Sequence, residues 1–151
     1  MQDNHITIEL DLPALVVEGQ RQEGQAQIVT VRYRCLERPC PHCGQETNLV
    51  HQYHRQLKQH RTLWGQPVFL EMRRRRFRCR ACGRVFMEPD EVCGPRRRST
   101  QAFRTELAQG CLTETVKAVA RRAEVSEGTV RRAFHEWAAT KLGPLEATPK
   151  I

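Results

Sequence analysis

The chain has no apolar run approaching the ~18 residues of a membrane span. Its best candidate, Leu12 to Val17, is short and contains Pro13. It has no secretory leader pattern, so its seven cysteines, an odd number, do not suggest an extracellular disulfide framework. The expectation is a reducing compartment, with the cytoplasm as the default. Hydrophobic residues make up 39% of 151 positions, which argues against one large core and for two small units. Acidic charge is scarce as well, with 17 Asp and Glu against 25 Lys and Arg, a net charge of +8. Residues 1–34 carry five acidic and three basic groups, so the whole surplus lies further on, at 22 basic against 12 acidic. An uneven basic surplus is the electrostatic footprint of a nucleic-acid binder, although it would also suit an anionic membrane surface. A catalytic set of carboxylates is not apparent. Asp90 and Glu91 lie in a proline-flanked stretch, and Glu106, Glu114, Glu124, Glu127 and Glu136 fall on or between short helices. Enzymatic activity is therefore not expected of these residues.

What is present is a pair of knuckles, Cys40-Pro41-His42-Cys43-Gly44 and Cys79-Arg80-Ala81-Cys82-Gly83. Each sets two thiols in a tight turn closed by a glycine that can take left-handed backbone. Together Cys40, Cys43, Cys79 and Cys82 form a four-sulfur set, the pattern of a closed structural zinc site. Surface disulfides, a redox pair and an iron–sulfur cluster are the alternatives, and neither knuckle is followed by the helix that a redox motif would need. The 35 residues between the knuckles exceed the commonest spacing, but residues 44–78 read as strands that bring the two turns together. Cys35, Cys93 and Cys111 are left over.

Alternation at His5 to Leu12 and at Ile28 to Tyr33 predicts two strands of a hairpin, with polar Glu18 to Gly24 as its loop. Leu49 to His54 and Gln56 to Leu63 read as short segments, and Trp64-Gly65-Gln66-Pro67 as a turn into a strand, Val68 to Arg78. That strand carries Arg73, Arg74, Arg75, Arg76 and Arg78, on both faces by its period of two. Guanidinium groups bind phosphate oxygens without reading sequence, which makes DNA backbone contact the favoured use over a merely solvated edge. Glu88 to Arg98, with two prolines, Gly94 and Arg96-Arg97-Arg98, reads as a basic linker.

From Ser99 the period becomes helical. Ser99 or Thr100 caps a helix bearing Phe103 and Leu107 that ends at Gly110; Thr113 caps a second, Glu114 to Ala123; Ser126 caps a third. In the third, Val130, Ala133, Phe134 and Trp137 form the apolar stripe, leaving Gly128, Arg131, Arg132 and His135 outward. The turn Glu124-Val125-Ser126 makes the last pair a helix-turn-helix. Ser126, Gly128 and Thr129 stand at the N-terminal end of the last helix, where a recognition helix meets base edges in the major groove of double-stranded DNA.

These residues resemble bacterial insertion-sequence transposases of the ISL-three type. The resemblance rests on residues 40–44, Gly65-Gln66-Pro67-Val68, residues 75–79 and 82–86, Val119-Ala120 and residues 125–130, within roughly residues 28–140. One departure is Glu124, where the family pattern favours glycine; a left-handed non-glycine residue costs about 1 kcal/mol, so a less regular turn is expected. The resemblance implies a further RNase-H-like catalytic domain with an acidic triad, of which Ala147 to Ile151 look like the entrance, and hence a truncated transposase. The expected fold is α+β: a β-hairpin and zinc ribbon over residues 1–88, a linker at 89–98, a three-helix helix-turn-helix domain at 99–142 and a tail at 143–151. The expected function is zinc-dependent recognition of transposon terminal inverted repeats, as a monomer or a homodimer. The alternatives are a stand-alone zinc-ribbon transcription regulator and an interaction protein whose arginines only solubilise it.

Overall fold

The computed structural model describes residues 10–143. A five-stranded sheet is organised around β6 (Gln66–Arg78). One edge of β6 pairs antiparallel with β5 (Val50–Leu63) along almost its whole length. The other edge is shared between β2 (Ala26–Tyr33), which runs parallel to it at Val68–Met72, and β7 (Val85–Met87), which runs antiparallel to it at Arg76–Arg78. β1 (Leu15–Glu23) closes the far side against β2. A two-stranded ribbon of β3 (Arg38–Pro39) and β4 (Glu46–Thr47) stands apart. The helices follow: α1 (Gln101–Gly110), α2 (Val116–Ala123) and α3 (Glu127–Leu142). The expected α+β order is therefore present. Among the described residues no helix is long and apolar enough to cross a membrane.

The strand boundaries differ from those read in the sequence. The strand expected at His5 to Leu12 falls mostly outside the described residues, and residues 10–12 are not strand. Its place in the hairpin is taken by Leu15–Glu23, because Gly24 at φ 57° allows a two-residue turn and pairs Glu23 with Ala26. The polar composition of Glu18 to Glu23 reflects an exposed edge strand rather than a loop. Likewise β5 is one continuous strand, not two segments, joined to β6 by Trp64 and Gly65 at φ 48° and 72°.

β6 buries its two faces at different places. Val68, Leu70 and Met72 point into a core with Leu15, Val29, Val31, Tyr33 and Cys93. Further along, Arg75, Phe77 and Cys79 are buried on the opposite face, where Phe77 packs with Phe86, Cys40 and Cys79. The stretch read as a linker is thus no free tether. Cys93 lies inside the first core, and Asp90 is buried with its Oδ1 accepting from the Tyr33 hydroxyl at 2.9 Å and from the Cys93 N–H at 3.1 Å. Lys58 completes the carboxylate's surroundings at 3.4 Å. A buried carboxylate needs such partners, and they fix residues 88–94 to the sheet. Arg104 of α1 holds the same segment, donating to the Cys93 carbonyl at 2.8 Å.

The helical unit closes on Phe103, Leu107, Val119, Ala120, Val130 and Ala133. Thr100 and Ser126 cap α1 and α3 as expected, each accepting from the N–H three residues on. Two details are corrected. Thr115, not Thr113, caps α2, accepting from Ala118 N–H at 3.2 Å, because Cys111 to Glu114 form a further turn. Gly110 does not end its helix in left-handed backbone; it is the last residue of α1, where a Cβ would come within 3.1 Å of Val119, so it is small for close approach to α2. Glu124 takes φ 56° and ψ 41°. Its N–H reaches Arg121 O at 3.3 Å and the Val125 N–H reaches Ala120 O at 3.0 Å, the double closure of a Schellman cap. The turn is regular after all, at the cost of left-handed backbone in a residue with a side chain. Glu124→Gly is expected to raise stability by about 0.5–1 kcal/mol, seen as a higher Tm with unchanged helix content.

The helical unit sits on the outer edge of β5. Gln59 N–H donates to Arg98 O and Thr100 N–H donates to Gln59 O, both at 2.9 Å. Beside them the buried His60 Nδ1 lies 2.8 Å from Thr100 Oγ1, within hydrogen-bond distance, and the same hydroxyl accepts from Phe103 N–H. Burial holds the His60 imidazole below its ordinary pKa, assisted by the Arg61 charge and opposed by a backbone hydrogen bond at Leu10. A depressed histidine pKa means that the unfolded chain binds the proton first, so stability is complete above the unfolded pKa of about 6.5 and falls as pH drops below it. Denaturation between pH 7.5 and 5 is expected to show this loss, and His60→Gln to flatten the dependence.

Candidate metal centre and nucleic-acid interface

The two knuckles are copies of one local geometry. Cys40 N–H donates to Gln45 O at 2.9 Å and Gly44 N–H to Cys40 O at 2.8 Å; Cys79 N–H donates to Arg84 O at 2.8 Å and Gly83 N–H to Cys79 O at 2.9 Å. Gly44 and Gly83 take φ 79° and 74°, which their sequence positions anticipated. β3 and β4 form the arms of the first knuckle, and the end of β6 with β7 forms those of the second. Thr47 Oγ1 donates to Arg78 O at 2.9 Å and Arg78 N–H donates to Leu49 O at 2.9 Å, which docks one hairpin on the other. The 35 intervening residues are spent on the long β5–β6 hairpin, which returns the chain to the first knuckle.

The four sulfur atoms lie within 4.8 Å of one another, with Cys40 to Cys82 at 3.7 Å and Cys43 to Cys79 at 3.5 Å. Zinc bound tetrahedrally at about 2.3 Å from each thiolate sets its sulfurs about 3.8 Å apart, so the set fits the metal. The Cys79 thiol is held down at about 6, first by the Cys82 N–H and then by that of Ala81. In Cys43 the Gln45 N–H acts downward and is outweighed by the neighbouring thiol of Cys79, by burial and by the other two thiols, leaving it at about 11. One thiolate forms readily and the next is opposed by it, a repulsion that a divalent cation removes. All four positions are protein sulfur, so the zinc holds structure and leaves no place for substrate. Among the described residues no other cluster of three or more such ligands occurs.

The arginine run divides. Arg73, Arg76 and Arg78 are exposed, and Arg73 lies over the Tyr53 ring at 5.0 Å. Arg74 is half-buried, bonded to the Glu88 carbonyl and, at 3.3 Å, to Gln56. Arg75 is not available to DNA. It is 6% exposed and ion-paired with the fully buried Glu88, whose Oε2 also accepts from Arg75 Nε at 3.1 Å, and Arg38 donates to the other oxygen at 3.3 Å. The expectation of phosphate contact there is corrected: β6 turns this side chain inward, and removing it would leave the buried carboxylate with Arg38 as its one remaining cation, a loss of up to about 3–5 kcal/mol. The partners Glu88 and Arg38 were missed in the sequence, since nothing local marks an acid after a metal knuckle as buried.

Further along, a cleft of about 500 Å³ brings together two groups that the sequence keeps at least 31 positions apart. Arg96, Arg97 and Arg98 line one side, and Thr129, Arg132 and Glu136 of α3 the other. Arg97 reaches Glu136 at 2.8 Å, leaving Arg96, Arg98 and Arg132 exposed beside it. Ser126 is committed to its cap, bonding Thr129 N–H at 3.2 Å and its hydroxyl at 2.9 Å. Arg131 pairs with Glu127 at 3.0 Å on the surface, and His135 is exposed. Around Gly128 an added Cβ would meet nothing closer than Ser126 Oγ at 3.9 Å, so the fold itself does not require glycine there.

A closed four-thiolate ribbon joined to a helix-turn-helix with a basic third helix defines the protein as a zinc-dependent DNA-binding module. Residues 36–82 match the family model described as the zinc-finger of transposase IS204/IS1001/IS1096/IS1165, and residues 93–138 that of the helix-turn-helix domain of transposase family ISL3. Together these matches span more than half of the chain, which belongs to the ISL3 transposase family. No curated protein and no solved structure matches it.

Because metal binding at such sites is folding free energy, chelation is expected to unfold the ribbon, and Cys79→Ser to abolish stoichiometric zinc together with its thermal transition. Cys35→Ser, at an exposed thiol outside the four, should leave one zinc per chain by elemental analysis.

Proposed function

We propose that this protein holds the terminal inverted repeats of an insertion sequence, with α3 reading base edges in the major groove and exposed arginines gripping phosphates. The observation that carries this reading is the cleft in which Arg96, Arg97 and Arg98 face Thr129 and Arg132. A recognition helix needs phosphate contacts beside it to fix register, and the docked segment after Cys93 supplies guanidiniums at that place. Ser126 and Thr129 keep the first turn of α3 capped. Gly128, which packing does not demand, leaves room for a groove wall on that turn. Arg73, Arg76 and Arg78 add sequence-independent grip from the ribbon side. The acidic residues support binding rather than strand cleavage, since Asp90 is held by Lys58 and Glu91 by Arg38 at 2.8 Å.

Two substitutions separate reading from folding. Gly128→Ala is expected to raise helix stability by up to about 1 kcal/mol while weakening DNA binding, a combination that a solvated face would not give. Arg132→Ala is expected to relax base preference by about 1–3 kcal/mol at one position, measured by binding to single-base variants of a selected site. Footprinting on insertion-sequence ends against promoter DNA tests the target, and equal protection of both would count against terminal-repeat recognition.

A further inference from the structure

On the side away from the first core, the sheet is open between the ribbon, which buries Arg75 and Phe77, and the helical unit, which Gln59 touches. Alternation along β5 places Tyr53, Arg55, Leu57 and Gln59 on the side opposite the first core, and the pairing sets Arg73 across from Arg55 and Phe69 across from Gln59. Arg32 of β2, with Glu18, lines a cavity on this face together with Tyr53 and Arg73. Tyr53 and Leu57 are each 54% exposed. The carboxylates here are engaged: Glu18 by Arg32 at 2.9 Å and Arg73 at 3.7 Å, Glu71 by Arg21 at 2.8 Å. Arg55 is exposed and makes no ion pair or hydrogen bond among the described residues. Arg73 rests on the Tyr53 ring, which holds its guanidinium in place on the open surface.

This face leads to the recognition helix. The Gln59 side chain donates to Ala123 O at 3.4 Å, and Ala123 ends α2 just before the turn into α3. The turn and the first residues of α3 therefore stand at one end of the open face. From Gln59 to Tyr53 the strand covers about 20 Å. That length matches about six base pairs of duplex at 3.4 Å each.

We propose that the duplex read by α3 continues over this face, with Arg55 and Arg73 contacting its phosphates and Tyr53 and Leu57 lying against the sugar backbone. The proposal rests on α3 as the reading helix and adds the direction in which DNA leaves it. Charge complementarity names the occupant: Arg55 makes no ion pair on a surface whose acids are already held by other arginines, Glu71 feeling its charge only at a distance, and a phosphate backbone is the polyanion that the adjoining helix brings to it. One consequence is an asymmetric contact, with protection extending about six base pairs beyond the α3 half-site on one flank only.

The test uses the zinc-loaded full chain and a 40-base-pair duplex selected from a random-sequence pool, with hydroxyl-radical footprinting and a salt titration. Arg55→Ala and Tyr53→Ala are expected to remove protection on that flank while keeping it at the α3 half-site. Arg55→Ala should reduce the slope of log affinity against log salt by about 0.9, and Arg55→Lys should restore it. Zinc content and Tm should stay at wild-type values, because both side chains are exposed. Unchanged slope and flank protection in both variants, with base preference still lost in Arg132→Ala, would overturn the path over the sheet and leave the reading helix intact. Base preference unaffected by Arg132→Ala would remove the reading on which the path rests. A change of oligomeric state in Arg55→Ala, with the DNA contacts unaltered, would replace DNA by a second copy of the chain.

Discussion

Everything in this molecule depends on β6 having to bury both of its faces, one after the other. Its first half gives Val68, Leu70 and Met72 to the core formed with β1, β2 and Cys93. Its second half gives Arg75 and Phe77, and the residue just past its end, Cys79, to the ribbon on the opposite side. A strand that changes its buried side must carry an inward residue at the crossover, and here that residue is an arginine. Glu88 answers it from the segment after β7, with Arg38 completing the charge from beside the first knuckle. This buried network joins the metal hairpins, the central strand and the segment leading to the helices into one connected body.

The same arrangement explains why the basic stretch before α1 acts as part of the site. Asp90 and Cys93 lock it into the sheet core, and Arg104 fastens it to α1. Arg96 to Arg98 are then held against α3 rather than left on a tether. A fixed guanidinium loses less freedom on meeting a phosphate than one on a mobile chain, so the docking favours binding through preorganisation. His60 and Thr100 place the helical unit on β5 at the same junction, so the orientation of the reading helix relative to the ribbon is set by buried contacts.

The metal and the helices divide the labour along physical lines. A closed set of four thiolates has no open coordination position, so its contribution is to fold a knuckle pair too small to bury a core of its own. The helical unit has its own apolar cluster and its own caps, including the Schellman closure at Glu124. Each part therefore forms by a local rule, and β5 is the shared wall on which they meet.

The sequence alone determined the ligand set, the α+β order, the helix-turn-helix and the cap at Ser126, and narrowed the cap of α1 to Ser99 or Thr100, of which the structure uses Thr100. Each of these is local: knuckle spacing, hydrophobic period and a hydroxyl three residues before an N–H are written within a few positions. It misplaced the first hairpin because an exposed edge strand and a loop have the same polar composition, and only the turn at Gly24 with its register distinguishes them. It read Arg75 like its neighbours because a run of identical residues carries no signal of which one faces inward. That was decided by the tertiary structure, through a carboxylate 13 residues away that arrives on the buried face of β6. The docked segment, the cleft beside α3 and the open sheet face are likewise products of long-range pairing, since charge and burial depend on which surfaces the fold brings together.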